Sequence, residues 1–299
     1  MNCNKNRVIA RADGRVAAQR HIETQPEAIP LFQRGDCFAP SGVRSDITLC
    51  YTFYMEPEIE INIFKSFHDL SLMAARLFVE SSSQAIAKRG RFLVALSGGN
   101  TPTLLYQTLA GIHYRNQINW AKVHAFWGDE RCVPPDDPGN CYYQARLALL
   151  DHVDIPTDNI HRVQSDLEPA SAAIDYAHTL KDFATPPLDW PCFDLVLLGM
   201  GEDGHTASLF PGSPVEVTSP TVAVTANYQD RPARRVSLTP LVFNSARQIV
   251  FLVSGESKSE TLASVLNGEY HPEQLPAQRI RPTDGEVIWL VDEAAASKL

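Results

Sequence analysis

Asp203 and His205, two residues apart within residues 197–214 (LLGMGEDGHTASLFPGSP), are the pair best suited to acid–base chemistry in this sequence. A carboxylate just ahead of a histidine can orient the imidazole and support its positive charge, as general-base catalysis requires. One histidine among nine is ordinarily a surface residue capped by a neighbour, but Gly199, Gly201 and Gly204 argue here for a shaped turn at the end of a strand. The same glycines satisfy GxGxxG, so a dinucleotide site is the competing reading. Charge and length oppose it. Glu202 and Asp203 would face a pyrophosphate, and Pro211 with Pro214 leaves little room for the helix that such a motif opens.

A second segment, LSGGNTP at residues 96–102, has the makings of an anion site. Gly98 and Gly99 let the backbone bend so that N–H groups converge, and a helix starting near Thr101 and Pro102 adds positive potential, with Thr101 able to cap it. Gly-Gly alone would be an ordinary strand-to-helix turn. No GK[ST] follows, which points away from a nucleoside triphosphate and toward a smaller phosphate. Ala95 to Gly99 is also one residue away from GxSxG, which raises Ser97 as a hydrolase nucleophile, although such an elbow lacks the cap and proline that follow here. The third segment, WGDERCVPPDDPGN at residues 127–140, packs Asp129, Glu130 and Arg131 behind a strand, where they face solvent or a ligand. A solvated loop with Arg131 paired to Asp129 or Asp136 is the plain alternative. Arg234 and Arg235 precede a strand at 236–238, and Lys258 opens a helix in GESK; each alone reads as a surface charge, and together they could complete an anion cradle.

Helices and strands alternate around these segments. Helical periodicity is read at 66–87, 104–110, 142–150, 172–183 and 258–266, and apolar strands at 92–96, 123–127, 193–198, 222–226, 236–238, 249–253 and 287–291. Continuous apolar strands between helices imply a mostly parallel sheet covered on both faces, and such sheets bind ligands beyond the strands' carboxyl ends. No internal repeat interrupts residues 55–299, which read as a single domain.

The chain has 299 residues, of which 44% are hydrophobic and 20% charged, with a net charge of -9. An acidic surface is a poor grip for nucleic-acid phosphate, so any anion must be held locally. The apolar runs are strand-sized, far short of a membrane span. Six cysteines without a CxxC pair suggest free thiols in a reducing cytosol. Residues 1–54 are net basic while the remainder carries the acidic excess, and prolines and glycines break any period there; this stretch reads as a poorly ordered N-terminal extension, with the working protein beginning at Met55. A transit peptide is the rival, opposed by the acidic residues in the stretch.

In their order and spacing, LSGGNTP, WGDERCVPPDDPGN, GMGEDGHTASLFPG, RVSLT, GESKSE and IRPTDGEVIWLVDEAA resemble the glucosamine-6-phosphate isomerase/6-phosphogluconolactonase family, on its lactonase side. The resemblance covers residues 55–299. It implies an α/β fold, a Rossmann-like three-layer sandwich with a mostly parallel sheet, and hydrolysis of 6-phospho-D-glucono-1,5-lactone in the oxidative pentose phosphate pathway. It implies a sugar-phosphate lactone as the ligand, no metal or organic cofactor, no nucleic-acid or membrane partner, and a monomer. By resemblance, Ser97, Gly98, Gly99, Asn100 and Thr101 with Arg235 and Lys258 would hold the phosphate, His205 would be the base supported by Asp203, and Asp129 and Arg131 would line the site. The isomerases carry NEP after DGH, whereas Phe210 stands here where that glutamate would be, and GDER replaces MDE. Asn100 and Gly139 depart from serines usual in the family. A sugar-phosphate sensor is a further alternative, weakened because related regulators carry a helix-turn-helix and residues 1–54 show no helical period.

Overall fold

The computed structural model describes residues 7–11, 15–17 and 59–299. Strand β3 (Ile59–Phe64) leads into helix α1 (Phe67–Arg89). Ser66 caps α1 by accepting from Asp69 N at 3.1 Å while its hydroxyl donates to the Asp69 carboxylate, and Gly90 at φ 74 ends the helix. Strand β4 (Phe92–Leu96) and helix α2 (Asn100–Ala110) follow, then the short α3 (Ile112–Arg115) and strand β5 (Val123–Trp127). A three-residue strand β6 (Asp129–Arg131), helix α4 (Cys141–Ala148) and helix α5 (Pro169–Lys181) lead to β7 (Leu195–Gly199). The remainder is β8 (Thr221–Thr225), β9 (Arg234–Leu238), α6 (Pro240–Phe243), β10 (Gln248–Val253), α7 (Ser259–Asn267) and β11 (Glu286–Asp292).

Six strands in the order β3-β11-β10-β7-β4-β5 run parallel. Successive side chains of a strand point to opposite faces, and each face has its own core. Leu93, Ala95, Ile249, Phe251, Val287 and Trp289 pack into one apolar cluster with α5 and α7, and Phe92, Val94, Leu96, Val250 and Ile288 into the other with α1, α2 and α4. Burial on both sides is why these strands read as unbroken apolar runs. At the strands' amino ends, buried Asp194 ties β4 to β7, accepting from Leu93 N at 2.8 Å and pairing with Arg89 and Arg247.

The expected α/β fold with a mostly parallel sheet is present, and two features depart from the sequence reading. A second, antiparallel sheet of order β6-β9-β8 stands beside the first. Residues 129–131, read as loop, are its edge strand, too short for any hydrophobic period to show. Within the stretch read as an extension, β1 (Arg7–Arg11) and β2 (Arg15–Ala17) form a hairpin, and β1 pairs antiparallel with β3. The rest of residues 1–54 lies outside the described residues. Among the described residues no helix is long and apolar enough to cross a membrane.

Candidate active site

Strands β4 and β7 are neighbours in the large sheet, yet the chain leaves β4 for β5 on one side and returns across the sheet to β7 and β10 on the other. Loops diverge at such a reversal and leave a crevice beyond the carboxyl ends of the strands. A cleft of about 360 Å³ occupies that position, within the range of small-molecule sites. The three sequence segments singled out for chemistry all reach it, together with residues of β9 and the turn ahead of α7.

Ser97, Gly98, Gly99, Asn100 and Thr101 line one wall. Tyr106, nearly two helical turns into α2, clamps the start of the loop: Ser97 N donates to its phenol oxygen at 3.0 Å, and the phenol donates to Ser97 O at 2.6 Å. Burial pushes the Tyr106 hydroxyl upward, so it stays a donor. The helix begins two residues earlier than its cap chemistry suggests. Gly99 holds the N-cap position and makes no side-chain bond, so Thr101 does not cap; Thr103 instead donates to Gly99 O at 2.8 Å. The Ser97 hydroxyl bonds to Gly98 O at 3.4 Å, with no imidazole among its partners in the described residues. A serine nucleophile lacks its base here.

The opposite wall is cationic and comes from the small sheet. Strand alternation puts Asp129 and Arg131 on one face of β6, and the antiparallel register sets Arg131 directly opposite Arg235 of β9. These groups line the cleft although Asp129, Arg131 and Arg235 are only 6%, 5% and 2% exposed. Like charges set directly opposite each other are destabilising, and Asp129 offsets only one of them. Arg131 Nη1 donates to Gly139 O at 2.8 Å, whereas Arg235 Nε and Nη2 are buried without a hydrogen-bond partner among the described residues, the guanidinium lying 5.2 Å from the Phe210 ring. Burial holds Arg235 below the usual guanidinium range, Asp129 opposing this and Arg131 adding to it. Unpaired buried donors beside a second cation are the arrangement an anion would complete. Lys258, half-buried on the turn before α7, lines the same cleft and donates to Met200 O at 2.6 Å; burial lowers its ammonium, with Glu202 opposing. Arg234 does not join this group, because its side chain points to the other face of β9, is exposed and pairs with Glu168.

His205 faces the cleft from the loop after β7. Its Nδ1 lies 2.5 Å from Asp203 Oδ1, which also accepts from His205 N at 3.2 Å. A carboxylate only accepts, so Nδ1 carries the hydrogen and a neutral ring keeps its free lone pair on Nε2. Burial raises the Asp203 carboxyl, but the hydrogen bond and charge of His205 outweigh it and hold the group below the usual carboxylate range. Asp203 acts through His205 and does not itself line the cleft. The ring is held between Phe210, at 4.4 Å between centroids, and the edge of Tyr228, at 4.6 Å. Of the glycines in this loop, Gly201 serves proximity to the pair. A Cβ on Gly201 would fall 2.1 Å from His205 Nδ1 and 2.6 Å from Asp203 Oδ1, inside both atoms. Gly201→Ala is therefore expected to push the pair apart and lower kcat at least about tenfold, since misplacing a catalytic group by an ångström costs about 10²-fold. Steady-state turnover of the purified variant checks this, and unchanged kcat would show that the pair tolerates displacement. No helix follows β7 until Pro240, which removes the crossover helix a dinucleotide motif needs.

Tyr228, Gln229, Arg231 and Ser254 line the cleft without having been singled out in the sequence. The first three sit at the tip joining β8 and β9, where Gln229 and Asp230 adopt φ 47 and 53 and Tyr228 bridges to Arg231. Two strands flanking a short polar stretch announce a hairpin, but nothing local shows that its tip folds toward His205. Among the described residues no group of three or more His, Cys, Asp and Glu side chains is placed to hold a metal ion.

The model of the glucosamine-6-phosphate isomerases/6-phosphogluconolactonase family matches residues 66–289. A 6-phosphogluconolactonase from Synechocystis sp. is 41% identical over 247 residues, covering 82% of this chain and 99% of that protein. The solved structure of a 6-phosphogluconolactonase from Trypanosoma brucei superposes with a TM-score of 0.69 at 29% identity, covering 80% of this chain and 98% of that one. A monomeric glucosamine-6-phosphate deaminase shares the fold, with a TM-score of 0.70 at 22% identity over 80% of this chain and 99% of its own. Matched by the family model over residues 66–289 and covering the Synechocystis relative almost end to end, the chain belongs to the glucosamine-6-phosphate isomerase/6-phosphogluconolactonase family.

Proposed function

We propose that the chain hydrolyses 6-phospho-D-glucono-1,5-lactone to 6-phosphogluconate, the hydrolytic step of the oxidative pentose phosphate pathway, with His205 as general base. The observation that carries this reading is one histidine oriented through Nδ1 by Asp203, beside two buried arginines that await an anion. The 6-phosphate docks between residues 97–101 and the cations Arg235 and Lys258, and this remote binding fixes the lactone carbonyl near His205. Nε2 takes a proton from water as the water oxygen bonds to C1. Backbone N–H groups of the glycine loops, with Arg131, hold the oxyanion. The tetrahedral intermediate collapses with cleavage of the C1–O5 bond, the imidazolium returns its proton to O5, and the new carboxylic acid ionises in water. Asp129 lines the reacting end of the cleft, held by Ser208, whose hydroxyl donates to its Oδ2 at 2.7 Å. Asp203 is a positioning residue.

Isomerisation of an amino sugar phosphate is disfavoured by Phe210, whose ring packs on His205 where the isomerases place a carboxylate. Apolar carbon there can neither shuttle a proton nor assist ring opening. The test generates the lactone in place with glucose-6-phosphate dehydrogenase and follows 6-phosphogluconate through its own dehydrogenase, with spontaneous hydrolysis subtracted. Acceleration well above the spontaneous rate is expected. Tight 6-phosphogluconate binding without acceleration would instead identify a sensor.

A further inference from the structure

Glu130 has no role in the chemistry above, yet its carboxylate is fully buried, 0% exposed, between the cleft residues Asp129 and Arg131. Because β6 alternates, its side chain points away from the cleft and toward the start of α4. There Oε1 accepts from Arg131 N and Cys141 N, both at 2.7 Å, and Oε2 accepts from Tyr142 N at 2.8 Å. One carboxylate thus takes two of the unpaired N–H groups at the amino end of α4, where the helix dipole also favours negative charge, and ties them to the strand that carries Arg131.

Two contacts carry this junction onward to the opposite wall. Gln144, one turn into α4, accepts from Gly99 N at 3.1 Å and donates to Pro138 O at 2.8 Å. Cys141 packs directly beneath Gly98, where a Cβ would fall 2.3 Å from its Sγ. The same junction includes Gly139, whose carbonyl holds Arg131 Nη1.

We propose that ionised Glu130 is a positioning residue that sets Arg131 and the 97–101 loop in register as the two walls of the anion site. The geometry requires an acceptor at both oxygens, since all three partners are N–H donors. Amidation sets an NH2 donor against one of these N–H groups, and protonation leaves one oxygen a weaker acceptor, so either change loosens the junction. Burial pushes the Glu130 carboxyl up to about 7, opposed by its three backbone hydrogen bonds and by Arg131. The charged and titratable groups around it are Arg131, Asp129 and Cys132 on the strand side, Cys141 on α4 and Tyr176 on α5. Burial raises Cys132, Cys141 and Tyr176, which stay neutral near pH 7, so Glu130 is the member of this set whose charge changes there.

The inference rests on the lactonase reading for its kinetic readout, and inorganic phosphate binding tests it without turnover. For Glu130→Gln, KM at pH 8 is expected to rise about tenfold with a smaller change in kcat, and calorimetry is expected to show a similar loss of phosphate affinity. The ratio of parent to Glu130→Gln kcat/KM cancels every titration the two proteins share. It is expected to fall from about 10 at pH 8 to about 2 at pH 6, as the parent itself becomes protonated. A ratio close to one throughout overturns the proposal. Should Glu130→Gln fail to fold, Gln144→Ala cuts the link to Gly99 while leaving the buried charge in place. A two- to fivefold rise in KM and an equal loss of phosphate affinity support the proposal, and values equal to the parent's overturn it. A parent that binds phosphate but does not hydrolyse the lactone defeats the lactonase reading alone.

Discussion

His205→Ala is expected to lower kcat by about 10²–10⁴-fold while KM changes little, the loss that removal of a general base produces. The expectation follows from where the ring's hydrogen sits. Asp203 Oδ1 occupies Nδ1 at 2.5 Å, so the basic lone pair is on the nitrogen left for water. The ring's neighbours are Asp203 and the Phe210 and Tyr228 rings, whereas the phosphate would be held by Arg235, Lys258 and residues 97–101. Ground-state binding therefore has little to lose. Asp203 keeps its charge to lower pH than an ordinary carboxylate because of the same bond. Its contribution to stability is present above the unfolded carboxylate pKa and is lost as pH falls through the depressed folded value. The measurement is steady-state kcat and KM with the spontaneous hydrolysis rate subtracted at each pH. A variant with parental kcat would remove His205 from the proton transfers, whereas a rise in KM with kcat intact would recast it as a binding residue.

Periodicity sufficed for five of the six parallel strands of the large sheet, β3 being missed, and for its longer helices, because strands buried on both faces and helices with one buried face write their environment into the chain. The segment Phe92–Leu96 is apolar at every position since adjacent residues serve opposite cores. In the small sheet β8 and β9 were legible as strands, but β6 and the antiparallel pairing were not. Asp129, Glu130 and Arg131 are polar in sequence and buried in the fold, and only tertiary pairing with β9 makes them a strand. The rule that such residues face solvent or ligand holds for Asp129 and Arg131 and fails for Glu130, which is satisfied by backbone N–H groups of α4. Arg234 and Arg235 were indistinguishable as neighbours in the sequence. Alternation along β9 sends one to the surface and Glu168, and the other into the cleft. Tyr228 and Arg231 reach the cleft only because a hairpin tip folds over it, a long-range event that leaves no local pattern.

Arg235→Met is expected to raise KM about 10²-fold with kcat changed only a few-fold, and to leave the ligand-free protein at least as stable as the parent. Both halves come from one observation. Arg235 Nε and Nη2 are buried with no hydrogen-bond partner among the described residues, and the guanidinium faces Arg131 across the strand pair. Hydrogen bonds to a charged partner contribute about 1.5–3 kcal/mol, which for a lost phosphate contact corresponds to roughly 10- to 150-fold in affinity. In the empty protein the same group is a buried charge with two unpartnered donors beside a like charge, only partly offset by Asp129, and replacing such charges by apolar side chains of similar volume is often neutral or stabilising. Methionine keeps much of the side-chain volume against Phe210, which limits any cavity. Thermal melts with and without inorganic phosphate separate the two effects. The parent should gain stability as phosphate is added, because a ligand that binds only the folded state stabilises it, and Arg235→Met should gain much less. A variant that melts well below the parent without phosphate, yet keeps its KM, would mean that Arg235 is a structural strut and that the anion is held elsewhere in the cleft.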